Sequence, residues 1–579
     1  MDTYYTNERN IQMLIVLMKS HNVKRIVASP GTTDVSLVAS LQQDSYFEMY
    51  SSVDERSAAY LACGMAADSG EPVAIICTGA TASRNYVSGL TEAFYRKLPI
   101  LAITTTQHIG RIGQNIPQVL DRSQPLKDTA KLSVQVPSIH SSDDEWACNI
   151  AINRALLELR HHGGGPVHIN LATNYSRDFY VKKLPTERVI RRYTYGEELP
   201  KLNESSVCVY VGAHSKWTRE QELALNDFCK ANNGVVLSDR ISNYYGKYRV
   251  PASLVCNQDS YKSEVLTVPL MVYIGNVSDN LPIHPKRVWR VNPDGEIRDT
   301  FGNLEAVFEM SEEYFFKQYA SVRSDIVNSN ENLKKWNSEC KKLSSKITEL
   351  PFSNAWIAQQ TLKKLPENST LHLGILNSLR SWNFFEPSFN ILGYSNTGGF
   401  GIDGNVSAFM GASFIRSNEL FFGVFGDLSF FYDLNVNGNR HVGNNVRLLV
   451  VNNGKGAEFK NYNNVAAQFG AAADSYIAAG GHFGRQSPKL IKNFAEDLGF
   501  EYIKANSKEE YLQNLGRFVK SEPNEKPMIF EVFTNTDDES DALKMMRNLE
   551  VPSSAIVKKA AKRFIGERGV QTLKKIIRR

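Results

Sequence analysis

Apolar runs alternate with helix-like stretches through roughly the first 180 positions. "RIVASP", "FEMYSSV", "PVAIICTG" and "PILAITTT" read as strands, and "DVSLVASL", "DERSAAYLACGMAAD" and "ATASRNYVSGLTEAFYRK" between them read as helices. A further strand, "GPVHINLA", follows a helix through Arg154–His161. The runs are apolar almost without interruption, so both faces of each strand are expected to be buried, as in a parallel sheet with helices on each side. The segment "SRDFYVKKLPTERVIRRYTYGEELPK" is polar, holds two prolines and has no clear period, which predicts an interdomain linker. A second α/β run carries "VCVYVG", "GVVLSD", "LMVYIG" and "RVWRVN"; a third opens near "SNAWIAQQTLKKL" and carries "ELFFGVFGD", "RLLVVNN" and "PMIFEVFT". The expected class is α/β: three doubly wound parallel-sheet domains at residues 1–180, 190–345 and 350–540, then a basic tail at 541–579.

A chain of 579 residues is too long for one core and long enough for three. Its seven cysteines are far apart, with no CxxC pair, so they suggest neither a zinc site nor a disulfide framework, and a reducing cytoplasm is the expected location. The first twenty residues lack the pattern of a secretory signal, and no apolar run reaches spanning length. The formal net charge is +5, but the stretch from Lys558 to the end carries nine Lys or Arg against one Glu, leaving the rest near −3. Charge therefore argues against nucleic acid as a partner of the body. The tail, with Ile556, Phe564, Leu573 and Ile577 among its basic residues, reads as a packed helix or as a peripheral contact for anionic lipid or an acidic partner.

The chemistry concentrates in the third run. In "ELFFGVFGDLSFFYDLN" an apolar strand ends on Gly426-Asp427, where a buried acid needs a partner. A helix N-cap is one explanation. Another comes 26 residues later, where "RLLVVNN" ends on Asn452-Asn453 followed by Gly454-Lys455-Gly456. Strand C-termini in a parallel sheet share one edge, so Asp427 and Asn453 converge there. A carboxylate, an amide oxygen, a main-chain carbonyl at Lys455 and phosphate oxygens would complete an octahedral Mg²⁺ site, with amides at the start of the next helix on the phosphate.

This pairing resembles the cofactor motif of thiamine diphosphate enzymes, whose chains have pyrimidine-binding, central and diphosphate-binding domains. The resemblance implies thiamine diphosphate and Mg²⁺ as cofactors. It also implies a catalytic glutamate after a strand of the first domain, and Glu55 in "MYSSVDERSAAYLACGMAADSG" fits. By resemblance Glu55 hydrogen-bonds N1′ of the aminopyrimidine; read alone, Ser52-Val53-Asp54-Glu55 is a capping-box pattern. Cofactor contacts are expected from Pro30, Glu55, Ile402, Gly426, Leu428, Ser429 and Asn453, and metal ligands from Asp427, Asn453 and Lys455. "SNTGGFGIDGNVSAFMGAS", "GDLSFFYDLN", "LLVVNNGKGAEF" and "PMIFEVFTNTDDE" look most like the 2-succinyl-5-enolpyruvyl-6-hydroxy-3-cyclohexene-1-carboxylate synthase family. The implied unit is a homo-oligomer, dimer or tetramer, with active sites between subunits.

The departures narrow the reading. Where that family has Ser-Pro-Gly-Ser-Arg this chain has Ser29-Pro30-Gly31-Thr32-Thr33, where it has Ser-Asn-Arg-Gly this has Ser395-Asn396-Thr397-Gly398, and a third family arginine falls at Thr106-Gln107. Each lost arginine removes a charge-assisted contact worth about 1.5–3 kcal/mol to an anionic substrate. The expected activity is decarboxylation of a small-molecule 2-oxo acid, with transfer of the fragment to an unidentified acceptor or its release as an aldehyde. The alternatives are the family's own synthase reaction, with Arg84 and Arg416 as replacement cations, and an idle cofactor-binding scaffold. Arg111, Gln114, Asn115 and Gln118 are candidate substrate contacts; His108 is a lesser one, and Cys63 and Cys77 read as core.

Overall fold

The computed structural model describes residues 4–279, 281–320, 330–482 and 487–551. They fall into two compact units divided after Glu197, with Asp294–Glu309 belonging to the first. In the first unit six parallel strands lie in the order Glu48–Ser51, Arg25–Ala28, Val73–Thr78, Ile100–Thr106, Val167–Ala172 and Leu132–Val136. Alternate residues of the inner strands serve opposite cores, which explains their unbroken apolar pattern. Ile26, Ile76 and Ile103 face Leu14, Met18 and Ile152 of the helices Arg9–Ser20 and Ser142–Glu158. Val27, Ile75 and Cys77 face Ala59, Cys63 and Leu90 of the helices Glu55–Ser69 and Val87–Tyr95. Those two helices touch closely, for a Cβ on Gly89 would lie 2.5 Å from Ala59 Cβ. Cys63 and Cys77 are core residues, and burial pushes their thiols up to about 11 and about 12.

Two strands escape the apolar pattern in this unit. Leu132–Val136 is a half-buried edge. Arg191–Thr194 lies inside the segment read as a linker and pairs in parallel with Leu304–Glu309. The linker reading is corrected there, because a short edge strand is held by its ladder and needs no apolar face.

The second unit holds two parallel sheets. One orders Arg249–Pro251, Gly234–Ser238, Val207–Val211, Thr267–Ile274 and His284–Val291. The other orders Leu392–Tyr394, Thr370–Leu373, Phe421–Gly426, Val446–Asn452, Met528–Phe533 and Glu501–Ala505. In the latter Phe421 and Phe425 pack with Phe409 and Phe430 on one face, and Phe422 meets Phe518 on the other. The helix Thr536–Met546 runs through position 540, the boundary read from sequence. Beyond it Arg547 and Asn548 bond Asp259 at 2.9 and 3.2 Å, and Glu550 lies 2.9 Å from Lys342. The tail from residue 552 onward lies outside the described residues.

Candidate active site

In the second unit the strand Phe421–Gly426 pairs with Val446–Asn452 so that Gly426 stands opposite Val451. Asp427 and Asn453 therefore leave neighbouring strands at the same sheet edge. Asp427 is 2% exposed, and its Oδ2 accepts a 3.0 Å hydrogen bond from the Gly454 amide. The helix Asp427–Tyr432 is capped by Gly426, so the N-cap reading of Asp427 is corrected: the acid occupies the first helical position and turns to the glycine turn. That turn needs Gly454, whose φ is +77°. A Cβ on Gly426 would meet nothing within 4 Å, because the backbone there borders open space.

This space is a pocket of about 120 Å³ lined by Gly426, Asp427, Leu428, Ser429, Asn453, Lys455 and Ile402, every residue expected there from the third domain. Ser429 Oγ donates to the Ile402 carbonyl at 3.0 Å and accepts from Asn405 Nδ2 at 3.1 Å, tying the Gly401–Gly404 turn to the helix. Asn452 turns away to Glu531, at 2.7 Å, leaving Asn453 to face the pocket. Lys455 Nζ is engaged by Asp474 at 2.6 Å, so only its main chain serves the pocket.

Sequence reasoning missed the opposite wall. Leu376 lines the pocket at φ 64°, ψ −111°, a conformation rare for a residue with a Cβ. Beside it Asn377 Nδ2 donates to Glu539 Oε2 at 3.2 Å. Glu539 is 3% exposed and burial pushes its carboxyl up to about 7, against bonds from Thr534 and the Asn354 amide. Neither propensity nor spacing in "LHLGILNSL" marks this wall.

In the first unit Pro30 and Gly31 follow the strand Arg25–Ala28 and line a cavity of about 460 Å³. A Cβ on Gly31 would lie 2.5 Å from Thr78 Cβ. Asp34, unremarked in the sequence, lines the same cavity at 2% exposure with no partner for Oδ2 among the described residues, and burial pushes its carboxyl up to about 7. Glu55 is the first residue of its helix. Asp54 is the N-cap, accepting from the Arg56 amide at 3.0 Å, so the capping-box reading of Glu55 is corrected. Half-buried, Glu55 accepts from Asn85 Nδ2 at 3.3 Å.

Arg111, Gln114, Asn115 and Gln118 all lie exposed, with Asn115 and Gln118 at positive φ and Arg111 bonded to Gln107. His108 is exposed and accepts from the Gly110 amide.

A buried carboxylate, an adjacent amide oxygen and a glycine turn at one sheet edge form a donor set suited to a hard divalent cation bridging to a diphosphate. The residues fit thiamine diphosphate. Residues 10–125 match the family profile described as "Thiamine pyrophosphate enzyme, N-terminal TPP binding domain", and with the three parallel sheets this places the fold in the class of thiamine diphosphate enzymes. Over 566 residues the chain is 31% identical to the 2-succinyl-5-enolpyruvyl-6-hydroxy-3-cyclohexene-1-carboxylate synthase of Bacteroides thetaiotaomicron, covering 93% of this chain and 98% of the relative. Proteins of the same name from Bacteroides fragilis and Porphyromonas gingivalis are 30% and 26% identical, covering 93% and 94% of this chain and 98% and 97% of theirs. The chain belongs to this synthase family of thiamine diphosphate enzymes.

Proposed function

We propose that the protein uses thiamine diphosphate and Mg²⁺ to decarboxylate a 2-oxo acid and pass the fragment to an acceptor, or release it as an aldehyde. The observation that carries this reading is the meeting of Asp427, Asn453 and the Gly454 turn in one pocket at the sheet edge. Asp427 and Asn453 would hold the cation, and Ile402 and Leu428 would bound the cofactor. Glu55 would hydrogen-bond N1′ of the aminopyrimidine. When bound, the cofactor supplies the nucleophilic carbon and the electron sink.

A donor other than the relatives' substrates is supported by what stands at the three arginine positions. Thr33 is buried, with its hydroxyl 2.6 Å from Thr78 Oγ1. Thr397 Oγ1 donates to the Val277 carbonyl at 2.6 Å, and Gln107 is bonded to Arg111. The replacement cations are engaged as well: Arg416 lies 2.6 Å from Glu419, and Arg84 donates to the Asp121 carbonyl at 2.8 Å. The synthase reaction stands as the second reading, favoured by the full-length likeness.

The test is CO₂ release from a broad panel of 2-oxo acids with both cofactors present, one arm containing 2-oxoglutarate and isochorismate, the substrates that the family resemblance implies for the synthase reaction. Release from another acid, with no succinyl adduct in that arm, is expected. Formation of the adduct at a comparable rate overturns the substrate assignment, and no release from any acid favours an idle scaffold.

A further inference from the structure

The run His161-His162-Gly163-Gly164-Gly165 links the helix Ser142–Glu158 to the strand Val167–Ala172. His162 sits at φ 46°, ψ 51°, the left-handed region that a residue with a Cβ seldom occupies. Its ring stacks on that of His161, with centroids 3.7 Å apart. Both Nε2 atoms reach one carboxylate, that of His161 lying 2.8 Å from Glu309 Oε2 and that of His162 lying 2.7 Å from Oε1. Behind them His161 Nδ1 is 2.9 Å from Glu158 Oε2. An ionised carboxylate only accepts, so His161 faces an acceptor at each nitrogen, while a neutral imidazole has one proton to give. With that proton on the Glu158 side, the Nε2 contact is completed either by a second proton, as in the imidazolium, or by a metal ion between nitrogen and oxygen.

A carboxylate behind the distal nitrogen is the arrangement that fixes the tautomer of metal-bound histidines. We propose that His161, His162 and Glu309 form a site for a borderline divalent ion of the Zn²⁺ type, with Glu158 orienting His161. The three ligand atoms lie within 4.8 Å of one another. Ordinary Zn–N and Zn–O lengths at a tetrahedral angle separate two ligand atoms by about 3.3 Å, so each contact needs to open by about half an ångström. The side chain of His162 is 68% exposed, which leaves the fourth position to water.

Two cations temper the site: Lys131 Nζ is 3.3 Å from Glu158, and Arg192 lies 3.7 Å from Glu158 and 4.0 Å from Glu309. They offset part of the carboxylate charge and set the affinity below that of a buried structural zinc site. An ion held here would clip the end of the Ser142–Glu158 helix to the strand Leu304–Glu309, 148 residues along the chain from His161. The cysteine spacing pointed away from zinc. This cluster escaped it because its third ligand is remote in sequence.

The test is calorimetric titration of chelator-treated full-length protein with ZnCl₂ in excess Mg²⁺, since Mg²⁺ prefers an all-oxygen shell. One equivalent should bind with a Kd well below about 1 mM, and melting temperature should rise with zinc concentration. His162→Ala, which removes an exposed side chain, and Glu309→Gln should each weaken binding at least tenfold. Glu158→Gln should weaken it about 10–100-fold, as loss of a supporting carboxylate does. Unchanged melting of His162→Ala without zinc separates lost ligation from lost folding. Zinc binding that is equal in wild type and His162→Ala, or absent up to about 1 mM, overturns the site.

Discussion

Asp34→Asn probes the buried carboxyl beside Pro30 and Gly31. Asp34 is 2% exposed, has one oxygen without a partner among the described residues, and its carboxyl is pushed by burial from 3.8 to about 7. Its folded-state pKa lies above its unfolded value, so between those values the folded protein holds a proton that the unfolded chain has released. Stability then falls as pH rises through that interval, and the loss is complete above about pH 7. Three pKa units at 1.36 kcal/mol each give about 4 kcal/mol. The cost of burying an unpartnered charged group is of the same order or larger. Asparagine cannot ionise, and its own imperfect fit adds a penalty that does not depend on pH. The quantity to read is therefore the pH dependence of the difference between the two proteins. At about 2–4 °C per kcal/mol for a unit of this size, the variant should gain up to about 8–16 °C in the first unit's melting temperature, relative to wild type, between pH 4 and pH 9. Differential scanning calorimetry across that range measures it. Parallel curves for the two proteins would show that Asp34 is ionised throughout and would refute the argument.

Glu55→Gln keeps the shape but not the charge. Turnover should fall about 10²–10⁴-fold with melting unchanged, whereas early melting with activity intact would return Glu55 to a structural role. Asp427→Ala should abolish Mg²⁺-dependent binding of thiamine diphosphate, and undiminished calorimetric affinity would remove Asp427 from the metal site. If the active unit is an oligomer with sites between chains, mixing the Glu55→Gln and Asp427→Ala proteins under conditions of subunit exchange should restore part of the activity. Full activity in a demonstrably monomeric sample would end that arrangement. Truncation after Val551 should spare catalysis and the contact of Glu550 with Lys342 while lowering sedimentation with anionic vesicles at low salt; equal sedimentation would exclude a lipid role for the tail.

Three parallel sheets were legible from sequence because their inner strands are buried on both faces and so cannot alternate. "PVAIICTG" reads apolar throughout for that reason, with Ile76 in one core and Ile75 in the other. Two edge strands were not legible, since Arg191–Thr194 and Leu132–Val136 are defined by their ladder partners. The Asp427 and Asn453 half of the site could be read because both residues end strands that apolar pattern alone locates, and a parallel sheet brings strand ends to one edge. Local pattern misled at Glu55 and Asp427. A capping signature specifies a short hydrogen bond, and only the folded backbone decided that Asp54 and Gly426 occupy the cap positions, so that Asp427 turns to the Gly454 amide and Glu55 to Asn85. Leu376, Asp34 and the His161, His162 and Glu309 cluster owe their properties to neighbours remote in the chain. A strained φ, an orphaned oxygen and two imidazoles on one carboxylate are relations between segments, and they come into being only when tertiary packing brings those segments together.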